Sequence, residues 1–287
     1  MEQEYIIGNI KSFNSTHIFE CGQCFRWNKQ KDGTYTGVIK DAIINVKHEK
    51  NKVIFKGISS KNLKDICREY FDLDNNYETI KNTLSKIDNN MENSVKYGNG
   101  IRILKQDLWE MLISFIISAN NNIPRIKGII ERICKKYGRE ISFRGEKYYT
   151  FPTTEELKKA SVEDFRSLGL GFRDVRVYET TQMVYSGKID LNALKTEKNI
   201  ERIRNTLLEF PGVGPKVADC IMLFSLGKFE VFPIDVWVRR VMSELYFNVQ
   251  NNEDKIEPKK IQALAKEKYG NLAGIAQQYL FYWRREA

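Results

Sequence analysis

No apolar run in this sequence is long enough to cross a membrane. The longest, around Met111–Ala119, falls far short of the ~18–20 residues that a span requires. Cysteine is scarce. The five, Cys21, Cys24, Cys67, Cys134 and Cys220, are an odd number scattered over 287 residues, which argues for reduced thiols and against a disulfide framework. Cys21 and Cys24 form a Cys-x-x-Cys pair, but no second pair or nearby histidine accompanies it, so zinc is rejected there. The first residues, Met1-Glu2-Gln3-Glu4-Tyr5, are acidic and lack an apolar core. No signal peptide is therefore expected, and the expected setting is cytoplasmic, nucleoid-associated if the source is prokaryotic. Internal repeats and low-complexity linkers are absent too.

What is present is an ordinary globular balance, 42% apolar and 29% charged. With 12% aromatics the chain is too apolar to stay open. Its length allows one large domain or two to three small ones. The net charge of +9 suits a polyanionic partner without identifying one.

Two periodicities divide the chain. Thr34–Ile39, Ala42–Val46 and Lys52–Phe55 are short β-branched runs separated by Asp32-Gly33, Lys40-Asp41 and Lys50-Asn51, the pattern of an antiparallel meander. From about residue 78 the period becomes helical. Leu108–Ala119 is an apolar helical run, and Pro124 suits the first turn of the next helix. Further helices are expected at 154–160, 162–168, 173–186, 199–209, 215–226, 236–246, 258–268 and 271–285. The expectation is an α+β chain: an antiparallel β-rich N-terminal domain over residues 1–77, then an α-helical region over 78–287. The segment from Asp88 to Asn99 reads as a polar helix-and-loop connector.

The most informative stretch is Leu207 to Cys220. A helix ends near Phe210, a Pro-Gly-Val-Gly turn follows, and Pro215 opens a new helix. Glycines permit positive φ and close approach of a partner, and free N–H groups at a helix start bind phosphate. A plain helix–helix turn is the alternative. Lys216 sits in the first turn of the new helix, where the dipole disfavours a cation and where Val217, Ala218 and Ile221 desolvate it. Both effects are expected to lower its pKa toward a nucleophilic amine, the alternative being a solvated lysine that binds phosphate. Nineteen residues on, Asp235 in Val-Phe-Pro-Ile-Asp-Val stands at a helix start. As a cap it contributes ~1 kcal/mol; as a free carboxylate it can stabilise a sugar that is becoming cationic.

Gly-Val-Gly-Pro-Lys, followed at that distance by the aspartate, resembles the helix-hairpin-helix DNA glycosylase superfamily. The lysine resembles that of its bifunctional glycosylase/lyase branch. Relatives with an iron–sulfur cluster end in a four-cysteine loop; no cysteine follows Cys220, so no cluster is expected. Cys21-Gly22-Gln23-Cys24-Phe25-Arg26-Trp27, Arg68–Asp74, Ile113–Ile123, Leu168-Gly169-Leu170-Gly171-Phe172-Arg173 and Ala273–Phe281 are similar, in order and spacing, to the eukaryotic-type 8-oxoguanine DNA glycosylases. The resemblance runs from about residue 5 to 283 and implies an N-terminal antiparallel sheet before a helix-hairpin-helix glycosylase core, with the hairpin at about 199–226.

The resemblance implies roles. Lys216 attacks C1′ and Asp235 stabilises the developing charge, giving a Schiff base and β-elimination. Cys220 and Phe281 sandwich a flipped-out base, and Gln277 bonds its Watson–Crick edge. A carbonyl at Gly22 meets N7, which bears a hydrogen in 8-oxoguanine and none in guanine. Asn120 fills the hole left behind, while Arg125 and Arg173 read the opposite cytosine. Phe172 stands where vertebrate proteins carry tyrosine and wedges into the stack without the phenol's hydrogen bond. Gly212, Gly214 and Trp237, the last replacing a histidine of the animal enzymes, face the DNA backbone. The carbonyls of Leu208, Phe210 and Val213 match those that bind a monovalent cation; no other cofactor is implied. The partner is duplex DNA containing 8-oxoguanine, the protein a monomer, with no membrane involved. A glycosylase for an alkylated purine, which would not need Gly22, and a non-catalytic DNA-binding module are the alternatives.

Overall fold

The computed structural model describes residues 1–249 and 256–286. Five strands form one antiparallel sheet: β1 (Gln3–Gly8), β2 (Trp27–Lys29), β3 (Tyr35–Ile39), β4 (Ala42–Glu49) and β5 (Lys52–Ile58), in the order β1-β5-β4-β3-β2. The meander predicted from residues 34–55 is the centre of this sheet. Two-residue links set its register, pairing Ile39 with Ala42 and Glu49 with Lys52. The sheet buries one face under aromatic rings. Phe19 stacks on Trp27 at 4.1 Å, Phe71 and Phe55 lie at 5.1 Å, and the Trp27 indole N–H donates to the Tyr70 hydroxyl at 2.8 Å. Two helices the meander pattern did not announce, Ser15–Glu20 and Leu63–Tyr70, contribute to this core.

Downstream, the helix Leu108–Ser118 buries every residue from Leu108 to Ile117. A helix apolar all round belongs at the centre of its bundle, and this one packs against Ile123–Tyr137, Asp174–Tyr185 and Pro215–Leu226. Asn122 caps Ile123–Tyr137, its side-chain oxygen accepting from the Arg125 backbone N–H at 3.0 Å, with Pro124 in the first turn. The connector contains the helix Asn89–Tyr97. The helical expectation for everything after residue 78 fails at one place. Residues 140–149 form a hairpin, β6 (Glu140–Phe143) and β7 (Glu146–Tyr149), joined by Arg144 and Gly145 at φ +52° and +83°. Positive φ at both turn residues matches the right-handed twist of the strands. Phe143 packs with Val38 and Ile43, so the hairpin docks on the sheet. Among the described residues, no helix is long and apolar enough to cross a membrane.

One extended segment, residues 101–107, ties sheet to helices. Arg102 stacks on Tyr77 at 4.1 Å and donates to the carbonyls of Phe71 at 2.9 Å and Ser12 at 3.0 Å. The Gln106 backbone N–H donates to the Phe224 carbonyl at 2.9 Å. Buried Gln23 completes the link. Its amide nitrogen donates to Ile18 and Arg102 carbonyls at 2.9 and 2.8 Å, and its oxygen accepts from the Leu104 N–H at 2.9 Å. The loop that carries Gly22 is thereby fixed against the helical core.

Candidate active site

The helix Ile200–Leu208 starts at an Asn199 cap. The chain then turns at Phe210, whose carbonyl accepts from the Val213 N–H at 3.0 Å, and re-enters a helix, Pro215–Leu226, after Gly214. Gly212 has φ +84°, and a Cβ there would stand 2.6 Å from Cδ of Arg176. Conformation favours glycine at 212, and a Cβ there would also push the Arg176 side chain aside. Gly214 has ordinary extended backbone (φ −98°) with open space where a Cβ would be, so the positive-φ argument does not reach it.

This turn aims Lys216 and Cys220, one helical turn apart, into a narrow cleft that Gly22, Phe115, Phe224, Pro233, Asp235 and the last helix also line. The cleft encloses about 40 Å³, room for roughly three waters and too little for a purine ring. Gly22 closes one side. At its φ of +85° a Cβ would meet Arg285 Nη1 at 3.2 Å and Phe281 Cε1 at 3.3 Å. Gln277 and Phe281, from the helix Ala273–Glu286, complete the lining. A larger hollow of about 430 Å³, lined by Lys40, Lys61, Lys105 and Lys195 among others, holds none of the predicted site residues.

Asp235 caps the helix Val236–Phe247, one carboxylate oxygen accepting from the Val238 N–H at 2.7 Å. It is therefore both a cap and a wall of the cleft. Lys216 departs from the sequence expectation. Its pKa is raised, first by the Cys220 sulfur and further by the Asp235 carboxylate, against the lowering effect of burial. A charge on Cys220 exists only above that thiol's own raised pKa, so at neutral pH the Asp235 carboxylate is what opposes the effect of burial. Its Nζ also lies 5.5 Å from the Phe115 ring centroid. Burial pushes the Cys220 thiol up to about 11. At neutral pH it keeps its proton, and the sulfur meets the ammonium as a lone-pair acceptor.

A second group lies at the end of Leu108–Ser118. Asn120 is exposed with φ +49°, Arg125 is exposed, and Phe172 is 55% exposed. Arg173 is not open to a partner. It is 2% exposed, and its guanidinium donates to the carbonyls of Ala119 (2.9 Å), Asn120 (2.8 Å) and Leu170 (3.1 Å). Instead of facing outward as a base reader, it pins the Asn120 turn. Its guanidinium lies 4.2 Å from the Phe172 ring and that of Arg176 lies 5.1 Å away. Trp237 is exposed, with the Arg240 guanidinium 5.2 Å from its ring.

Two family models together match residues 6–268. Residues 6–112 match the 8-oxoguanine DNA glycosylase N-terminal domain, and residues 113–268 match the HhH-GPD superfamily base excision DNA repair protein. The chain belongs to the 8-oxoguanine DNA glycosylase family. A Methanothermobacter thermautotrophicus protein named "Probable N-glycosylase/DNA lyase" is 32% identical over 250 residues, 80% of this chain and 77% of that one. The structure of the Clostridium acetobutylicum 8-oxoguanine glycosylase/lyase with duplex DNA containing cytosine opposite 8-oxoG superposes with a TM-score of 0.92 at 42% identity, covering 100% and 98% of the two chains. The structure of MBOgg1 with a low-affinity DNA ligand gives 0.93 at 44% identity, covering 99% and 96%.

In this glycosylase the cleft gathers residues that the motifs did not single out: Phe115, Phe224, Pro233 and Gln278. Gln278 was within reach of the sequence, since it neighbours Gln277. Arg176 also escaped, because its partners, Phe172 and Gly212, are distant in sequence. Among the described residues, no group of three or more histidine, cysteine, aspartate or glutamate side chains could hold a metal ion.

Proposed function

We propose that this chain is a base-excision repair enzyme that flips 8-oxoguanine out of duplex DNA, releases it, and nicks the resulting abasic site. The observation that carries the reading is the convergence of Lys216, Cys220, Asp235, Gly22, Gln277 and Phe281, from four separate stretches of chain, on one cleft. The flipped base enters between Cys220 and Phe281, which requires the cleft to widen at the Gly22–Phe281 contact.

Lys216 rests as an ammonium, so it must lose a proton before it can attack. The proton leaves to water, and Asp235, which lines the same space, keeps its charge. The amine then bonds to C1′ as the glycosidic bond breaks, and the electron pair leaves with the base, which takes up a proton. The Asp235 carboxylate stabilises the cationic sugar in the transition state. Opening of the sugar ring leaves a Schiff base at Lys216. Loss of a C2′ proton and the 3′ phosphate by β-elimination nicks the strand.

Selectivity for the lesion rests on the Gly22 carbonyl at N7, a bond worth ~1–3 kcal/mol made or left unpaired. Opposite the lesion, Phe172 enters the stack, Asn120 fills the void, and Arg125 meets cytosine; Arg173 joins it only by releasing the carbonyls it holds. Gly212, Gly214 and Trp237 follow the backbone. The hairpin suits a monovalent cation: the carbonyls of Leu208 and Val213 accept no hydrogen bond among the described residues and that of Phe210 has one lone pair left. Neutral carbonyl oxygens are the ligands such ions take. When bound, the cation would add positive charge at the hairpin, where it would draw a DNA phosphate. The monomer is the acting unit, and the cytoplasm is its setting.

Borohydride trapping tests the nucleophile. The parent is expected to form a covalent band on a duplex containing 8-oxoguanine. Lys216→Gln is expected to form none, and Asp235→Asn to slow base release by about 100-fold. A Lys216→Gln protein that traps and excises as the parent does would overturn the assignment.

A further inference from the structure

Adjacent residues on a helix point about 100° apart and ordinarily do not face each other. Gln277 and Gln278 break this habit. Both are 4% exposed and both line the cleft. The Gln278 Nε2 donates to Gln277 Oε1 at 3.1 Å. This bond orients the Gln277 amide, leaving its Nε2 with both donors free and its Oε1 with one lone pair. Gln278 Oε1 is buried with no hydrogen-bond partner. An orphaned acceptor in a protein interior is costly, and at a binding cleft that cost is recovered when a ligand donor arrives.

The two amides together present a donor, an acceptor and a second acceptor: Gln277 Nε2, Gln277 Oε1 and Gln278 Oε1. A guanine-type edge presents the complement, the O6 acceptor, the N1–H donor and the 2-amino donor. An adenine-type edge mismatches it. It offers a donor at position 6, an acceptor at N1 and nothing at position 2. We infer that Gln278 is a specificity-determining residue whose Oε1 accepts from the exocyclic 2-amino group of the flipped base, while its Nε2 fixes the amide of Gln277. The site thus selects 6-oxo-2-amino purines through two glutamines. The inference rests on the glycosylase reading above and names the edge of the substrate that the reading leaves open.

The test pairs a residue change with a base change. Single-turnover base release is measured on duplexes that hold either 8-oxoguanine or 8-oxohypoxanthine, which lacks only the 2-amino group, opposite cytosine. The parent should release 8-oxohypoxanthine about tenfold or more slowly. Gln278→Met keeps the length of the side chain and loses both hydrogen bonds. It should lose on both bases, because the Gln277 amide is freed, but tenfold or more further on 8-oxoguanine, so that the preference disappears. Gln278→Glu keeps the acceptor but loses the donor to Gln277 Oε1, so it should retain the preference at a lower rate on both bases. A thermal melt of Gln278→Met within a few degrees of the parent's certifies its fold. If Gln278→Met loses the same factor on both bases, or the parent does not distinguish them, the inference falls while the glycosylase reading stands. If the parent releases neither base, the glycosylase reading itself falls.

Discussion

Gly22→Ala tests how the cleft is built. The residue sits at φ +85°, where a Cβ is disfavoured by about 1–2 kcal/mol. The new methyl would also stand 3.2 Å from Arg285 Nη1 and 3.3 Å from Phe281 Cε1. Arg285 can yield, being a flexible tip. Phe281 can yield only toward or away from the space a base must occupy. The variant should lose about 1–2 kcal/mol of stability, seen as a fall in Tm of roughly 2–8 °C in a chain of this size. Base release should fall further than stability explains, by tenfold or more, because the Gly22 carbonyl and the Phe281 ring are both displaced. Strand cleavage at a preformed abasic site uses Lys216 and no base, and should stay within about threefold of the parent. Parallel single-turnover assays on the two duplexes, at a temperature well below Tm, read the split directly. Equal losses on both substrates, or none on either, would refute the reasoning.

Two further perturbations probe sites away from the cleft. Burial pushes the Glu110 carboxyl up to about 7 although the Arg26 guanidinium, 3.7 Å away, pulls it down. A carboxyl raised in the folded state contributes stability at low pH that is lost as pH rises through its folded value. Arg26→Gln removes the compensating cation, so it should destabilise more at pH 8, where Glu110 is ionised, than at pH 5.5, where it is neutral; equal losses in urea melts at the two pH values would contradict this. Arg176→Gln should weaken duplex binding and make the slope of log K against log salt about 0.9 less negative, since Arg176, beside Phe172 and Gly212, has no carboxylate partner among the described residues; a weaker affinity at unchanged slope would mean that it only supports the wedge.

What the sequence disclosed followed from how local each signal was. The meander was legible because its strands are β-branched runs with turn residues between them. The central helix was legible because Leu108–Ala119 is apolar on every face. Strand β1 and the helix Ser15–Glu20 were not, being short, whereas Leu63–Tyr70 carried readable signals that went unused, an amphipathic period and the Asn62 cap. The Arg144-Gly145 turn was a readable sign of the later hairpin, masked by four-residue strands within a helical region. At the site, the motifs named the residues that meet, but not their state. The ammonium at Lys216 depends on the Asp235 carboxylate nineteen residues on as well as on the neighbouring Cys220 sulfur. The commitment of Arg173 to the carbonyls of Ala119 and Asn120 depends on how two distant turns pack. A helix dipole and a list of neighbours cannot supply either.

The central claim is that one cleft binds 8-oxoguanine and that Lys216 performs the chemistry there. The most direct measurement incubates the protein with duplexes that hold one 8-oxoguanine opposite each of the four bases, with and without borohydride. The account predicts base release and a trapped covalent band, both fastest opposite cytosine. Release without trapping would remove Lys216 as the nucleophile, and no release opposite any base would contradict the account as a whole.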